Sequence, residues 1–310
     1  MLNAINRKYL VITVDTEEDN QWDNHPCFTT ENSKYIPRFQ KLCEKYGFKP
    51  VYFTTYPMAK DIFFVNFVKS KEIENKCEIG MHMHAWTTPP FHPIDSCVSK
   101  PFITEYPADF IEKKVQTITS FLENQFSIKV VSHRSGRWSL NNTYLQILKK
   151  YGYMVDCSVT PYVNWSKSKG GLNTPGTNYK KLKTNAFCDS FIEIPVSIIK
   201  KRGVFAECGF MRNAKSLLFG KAIWLRPTND ADCLRKMLAV VDGIGSVGSV
   251  LEFMIHSSEL MPGCSPEFPD TASIERMYSN IESVFRYMAE RGYIGVTAKE
   301  YYSLLKKCSI

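Results

Sequence analysis

CEIGMHMHAWTTPP, residues Cys77 to Pro90, sets a short apolar run against two histidines, a tryptophan and a Thr-Thr-Pro-Pro turn. The first half reads as a β-strand and the second as the loop that leaves it. Residues two apart in an extended chain point to the same side, so His82 and His84 can face one metal ion or one substrate together. A lone His-x-His also occurs as a pair of hydrogen-bonded structural side chains. The rest of the chain has to separate these readings.

Upstream, Tyr9 to Val14 (YLVITV) is a β-branched run that reads as a buried strand ending on Asp15-Thr16-Glu17. Period two places Val11, Thr13, Asp15 and Glu17 on one face. A helix follows over Tyr35 to Tyr46, closed by Gly47, and a second strand starts at Val51. The same joint recurs at Tyr46-Gly47-Phe48, Tyr151-Gly152-Tyr153 and Arg291-Gly292-Tyr293, each a helix-ending glycine followed by an aromatic and a strand-like run. Further helices are expected over Pro57–Lys69, Pro107–Gln125, Asn141–Tyr151, Asp230–Asp242, Thr271–Arg291 and Ala298–Lys307. Strands are expected near Glu78–His82, Lys129–His133, Met154–Cys157, Phe191–Pro195, Val250–Ile255 and Tyr293–Thr297. About eight strands alternating with helices define an α/β architecture. Two stretches break the alternation, near 158–188 and 200–229, and read as loop insertions over the site in a single domain spanning 1–310.

The chain has 310 residues, 44% hydrophobic and 23% charged, with 39 Lys and Arg against 31 Asp and Glu. The net charge of +8 is compatible with phosphorylated partners or peripheral contact with an anionic membrane surface. A nucleic-acid partner is not expected, for want of a binding module or basic stripe. The amino terminus lacks a signal-peptide pattern and no apolar run is long enough to span a bilayer, so a cytoplasmic location is expected. The ten cysteines are scattered without a Cys-x-x-Cys pair and read as free thiols.

Polar residues gather where strands end. Asp15 and Glu17 follow the first strand, His82 and His84 the third, His133 and Arg134 the fourth, and His256 closes VLEFMI near the carboxyl terminus. In a barrel of parallel strands, catalytic groups come from the carboxyl ends of several strands. A carboxylate with two histidines is a ligand set for a hydrolytic divalent ion, which can turn water into a nucleophile at neutral pH. His133 alternates away from Arg134 and reads as packed behind the site. Asp156 reads as a loop cap or a partner of His256, Glu18 and Asp19 as a solvated acidic edge.

VDTEED, EIGMHMHAW, SHRSGRW and LEFMIHSSEL, in that order, resemble the polysaccharide deacetylase family, the NodB-like carbohydrate esterases of family 4. The resemblance runs from Tyr9 to about Thr297. It implies a distorted (β/α) barrel, TIM-barrel-like with seven or eight strands, and metal-dependent removal of acyl groups from sugars. It makes Asp15 the general base, Glu17 and His82 metal ligands, Arg134 the partner that orients the base, and His256 the general acid. The variant forms are similar to a branch in bacterial surface-glycan biosynthesis, of the O-antigen and lipopolysaccharide kind.

The departures set further expectations. The family's second metal histidine stands four residues after the first, where this chain has Trp86, so His84 is the expected substitute, with His92 as an outside candidate. The metal is expected to be zinc before cobalt, nickel or manganese. Trp86, Arg137 and Trp138 are the expected substrate contacts, and Glu259 is expected either to touch the substrate or to support a site residue from behind. The substrate is expected to be an acetamido sugar carried on a nucleotide or lipid diphosphate, with the arginines of SHRSGRW and Lys200-Lys201-Arg202 meeting the phosphates. An amidohydrolase acting on a small non-sugar amide and a non-catalytic sugar-binding protein are the rival readings.

Overall fold

The computed structural model describes residues 7–19, 21, 28–163, 191–201, 221–243 and 250–308. Its strands are β1 (Lys8–Thr16), β2 (Pro50–Thr54), β3 (Glu78–Met83), β4 (Ser132–Ser135), β5 (Val155–Asp156), β6 (Ile192–Glu193), β7 (Ile198–Lys201), β8 (Lys221–Trp224), β9 (Val250–His256) and β10 (Tyr293–Gly295). The helices are α1 (Ile36–Lys45), α2 (Ile62–Ile73), α3 (Ile94–Cys97), α4 (Ala108–Phe126), α5 (Asn142–Lys150), α6 (Ala231–Gly243), α7 (Thr271–Glu290) and α8 (Ala298–Cys308). Among the described residues, no helix is long and apolar enough to cross a membrane.

Eight strands form one parallel sheet. One edge of β1 pairs with β9 over Tyr9–Asp15, and the other with β10 over Lys8–Leu10 and β2 over Ile12–Thr16. From β2 the sheet curls through β3, β4 and β5 to β6. Between β6 and β9 the wall is carried by irregular backbone: Val196 N donates to Val159 O, Leu225 N to Ser197 O and Met254 N to Leu225 O. This is the distorted (β/α) barrel expected from the sequence.

The pleat explains what faces where. Leu10, Ile12 and Val14 of β1 join the large cluster that includes Phe39 of α1, Val115 of α4 and Phe285 of α7, the layer between sheet and helices. Tyr9 and Val11 instead share the barrel's inner cluster with Phe53, Val155, Ile194 and Val250. Thr13 and Asp15 continue that inner row upward, because side chains alternate strictly along a strand. Ala298 and Tyr301 of α8 belong to the inner cluster too, with Tyr301 edge-on to Tyr9 at 5.7 Å, so α8 stoppers the end where the strands begin. The opposite end holds the site.

The stretch near 200–229 contains an antiparallel ribbon, β7 with β8, in place of an unstructured loop. Residues 202–220, most of the stretch near 158–188, and His25 lie outside the described residues, as do the side chains of Lys200 and Lys201.

Candidate functional site

Two lateral strand registers assemble the centre of the site. Asp15 on β1 stands opposite His256 on β9, and His82 on β3 opposite Arg134 on β4. His84 and Glu17 extend the β3 and β1 rows by two residues, onto the same side. Glu17 is fixed by Ser257, whose Oγ accepts from its N–H at 3.1 Å and donates to its carbonyl at 3.2 Å.

Glu17, His82 and His84 are buried together, with one ligand atom from each lying within 4.8 Å of the others. His82 Nδ1 lies 3.0 Å from Arg134 O. A carbonyl only accepts, so that nitrogen carries the proton and Nε2 is left as an acceptor in the neutral ring. His82 Nε2 lies 3.7 Å from Glu17 Oε2, and His84 Nε2 lies 3.2 Å from the same oxygen. Acceptors thus converge on one point, where a cation or an added proton has to sit. The donor set, one carboxylate and two imidazoles with their far nitrogens held by a carbonyl and a carboxylate, fits a divalent ion such as zinc. The second of those holders is Glu18, at 3.1 Å from His84 Nδ1. Burial disfavours charge on His84, but the Glu18 and Glu17 carboxylates outweigh it and raise its pKa to about 9. Glu17 in turn is held well below the usual carboxylate range: burial opposes its charge, and His256, His82 and His84 overcome that.

Arg134 is fully buried and its guanidinium is spent inside the barrel: Nε donates to Cys157 O at 2.9 Å, Nη1 to Asp15 Oδ1 at 2.8 Å, and Nη2 to Glu252. Glu252 also accepts from Thr13 Oγ1 at 2.7 Å. The expectation that Arg134 meets a phosphate is therefore corrected, because no face of its fork is open to the cleft. Asp15 Oδ2 lies 3.7 Å from His256 Nε2. Glu259 lies wholly buried behind His256, accepting from its backbone N–H at 2.9 Å, facing its Nδ1 at 3.4 Å and pairing with Arg226 Nη2 at 2.7 Å. It does not reach the cleft as a substrate contact would. Burial raises the Glu259 pKa, yet Arg226 and His256 bring it down to about 2. Burial likewise opposes charge on His256, and Glu17, Glu259 and Asp15 together raise its pKa above the ordinary histidine value.

The cleft encloses about 270 Å³. Asp15, Glu17, His82, His84 and His256 form its floor, and Trp86, Phe102, Arg137 and Trp138 its walls. Trp86 stacks on His84 at 4.3 Å and 25°, so the tryptophan standing four residues after His82 buttresses the second histidine of the Glu17–His82–His84 cluster. Arg137 lies 3.8 Å over the Phe102 ring and donates to Lys100 O. Arg137 and Trp138 both hold left-handed backbone, φ 55° and 60°. Gly136 precedes them because β4 approaches β3 too closely for a side chain: a Cβ there would lie 2.5 Å from Met83 O and 2.7 Å from His84 Cδ2.

Other expected residues fall elsewhere. His92 accepts from Ile94 N at 3.2 Å and packs edge-on to Phe110, outside the metal-side cluster. His133 does sit behind the site, between Asp156 Oδ1 at 2.5 Å and Tyr144 Oη at 2.8 Å. Asp156 is thereby a partner of His133, not of His256, and it caps the loop leaving β5 by accepting from Ser158 N at 3.0 Å. Glu18 and Asp19 are buried rather than solvated. Asp19 caps the turn at Glu31–Tyr35 by accepting from Glu31 N at 2.7 Å and Asn32 N at 3.1 Å. Glu252, Glu18 and Arg226 are the members the sequence reading missed. For Glu252 a signal existed, a lone acid inside the apolar strand VLEFMI.

No protein-family model and no curated sequence matches the chain. Solved structures do. A candidate polysaccharide deacetylase from Mycobacterium smegmatis superposes with a TM-score of 0.58 at 11% identity, over 98% of this chain and 92% of its own. The CE4 domain of a multidomain xylanase from the hindgut metagenome of Trinervitermes trinervoides gives 0.48 at 12% identity, over 98% and 93%. A family 4 carbohydrate esterase from Streptomyces lividans, solved with acetate, gives 0.46 at 8% identity, over 93% and 91%. At these identities the likeness is one of fold: the chain has the distorted barrel seen in the Mycobacterium smegmatis protein.

Proposed function

We propose that this protein is a metal-dependent N-deacetylase that removes the acetyl group from an acetamido sugar in bacterial surface-glycan synthesis. The observation that carries the reading is the meeting of Asp15 and His256, one paired to Arg134 and the other to Glu259, beside the Glu17–His82–His84 cluster at the mouth of a barrel. A divalent ion held by Glu17, His82 and His84 would supply Lewis acidity toward water and the acyl carbonyl. Asp15, aimed by the Arg134 guanidinium, takes a proton from the attacking water. His256 gives a proton to the nitrogen as the carbon–nitrogen bond breaks. Glu259 occupies the Nδ1 side of His256, which turns Nε2 toward Asp15 and the cleft. Trp86, Trp138 and Phe102 supply flat apolar faces for the sugar ring.

Incubating candidate acetamido sugars with the zinc-loaded protein and reading the products by mass spectrometry tests the activity. Loss of one acetyl mass with formation of acetate is the expected result, and intact sugars across a panel that includes diphosphate-linked forms would remove the reading. The sugar is expected to ride on a diphosphate, met in place of the buried Arg134 by Arg137 and by Lys100, which also lines the cleft and whose ammonium donates to Gln21 O at 2.5 Å. The diphosphate-linked sugar should then react with a higher kcat/KM than the free sugar, by a margin that shrinks with salt. Equal, salt-independent rates would refute the carrier and leave the deacetylase reading intact.

Glu259, together with Glu17, is expected to tune the pH dependence. His256 works as an acid only while protonated, so its raised pKa sets the alkaline limb of the kcat/KM profile. Glu259→Gln removes one of the carboxylates that raise it, and the limb should move to lower pH. An unmoved limb would deny Glu259 this part.

A further inference from the structure

Lys114 lies midway along α4, fully buried, and takes no part in the proton transfers described above. Its Nζ donates to three main-chain oxygens, Ala85 O at 2.8 Å, Thr88 O at 2.7 Å and Pro90 O at 2.7 Å. An ammonium has three N–H donors and no acceptor, so the three carbonyls match its protonated form and would leave a neutral amine one donor short. Tyr106 and Phe91 set their rings 4.8 Å and 5.6 Å from the Nζ, and Asp95 Oδ2 stands 4.0 Å away. Burying a charge is costly unless it is fully hydrogen-bonded, and here the hydrogen bonds all run to one short segment.

That segment is the chain leaving β3. It begins at His84, whose carbonyl accepts from Thr87 N at 3.2 Å and Thr88 N at 3.1 Å, and it carries Trp86 onto the His84 ring. We infer that Lys114 is a positioning residue: its ammonium gathers the carbonyls of Ala85, Thr88 and Pro90 and thereby holds His84 and Trp86 in place at the metal side of the cleft. The inference rests on the proposed metal centre for its function, while the loop's order can be read without it.

The test uses the full chain, with zinc alone as the metal probe. Lys114→Met fills the space without donors, and Lys114→Gln keeps two N–H donors without charge. In Lys114→Met the amides of Thr87 and Thr88 should exchange with solvent faster by on the order of 100-fold, as expected when hydrogen bonds from a charged donor are lost. The zinc Kd should weaken by about 10–100-fold, the range for loss of a group that orients a metal ligand. Lys114→Gln should fall between it and the wild type in both readouts. Exchange and zinc affinity within twofold of wild type in Lys114→Met would overturn the inference, and so would failure of both variants to fold, which would make Lys114 a requirement of the whole barrel. A wild-type protein that binds no zinc would instead sink the metal centre, and the exchange comparison would still decide the part played by Lys114.

Discussion

Asp15→Asn and His256→Ala are each expected to lower kcat by about 10²–10⁴-fold, the range for loss of a positioned acid or base. Zinc should stay bound in both. Neither side chain belongs to the Glu17–His82–His84 cluster. The two variants should differ in stability. Asp15→Asn removes one of the two carboxylates around a fully buried guanidinium and leaves Glu252 as the one carboxylate paired with Arg134 among the described residues. Breaking one partner of a buried ion pair typically costs about 3–5 kcal/mol, and replacement by an isosteric amide that still accepts from Arg134 softens this. His256 is partly exposed at the cleft, and its loss takes a neighbour from Asp15 and from Glu259, which keep Arg134 and Arg226 respectively. Calorimetry beside single-turnover kinetics separates the effects. Near-normal turnover in His256→Ala would remove it as the acid.

The second large effect concerns the metal. Glu17→Gln, His82→Ala and His84→Ala should each weaken zinc binding by more than about 100-fold, beyond the range seen for groups that merely orient ligands. His92→Ala should leave the Kd unchanged, because that ring is engaged with Ile94 N and Phe110. Chelator competition measures all four. Full zinc occupancy in His84→Ala together with loss in His92→Ala would reverse the ligand assignment.

Much of this arrangement was legible because strands repeat every two residues. The alternation in YLVITVDTE puts Asp15 and Glu17 on the inner face before any partner is known, and His82 and His84 obey the same rule. What the chain does not display is register. That Asp15 falls opposite His256, and His82 opposite Arg134, depends on how far each strand slides against its neighbour, which no local pattern encodes. Arg134 shows the consequence. The family resemblance assigns it to orient Asp15, while its place beside Gly136 and Arg137 also reads as a rim cation open to a phosphate, and the depth of β4 against Glu252 removes the second of these readings. Glu18 and Asp19 fail for a related reason: Asp19 is covered by residues 29–32, a stretch with no strand or helix period to predict where it lies, and Glu18 meets Thr55 and His84, which come from other strands' ends.

The turn after β4 carries a consequence for engineering. Arg137 and Trp138 sit consecutively in left-handed backbone, which costs roughly 1–2 kcal/mol for each residue with a Cβ. Glycine at Arg137 would relieve that strain while deleting part of a cleft wall, whereas at Trp138 it would also remove a ring packed on Val196, Ile198 and Met254, a loss that outweighs the relief. A selection for heat resistance alone would therefore drift toward glycine at Arg137 and return a sturdier barrel with a blunted pocket, whereas lineages selected on turnover should keep the tension. The two directions of laboratory evolution would diverge first at this corner.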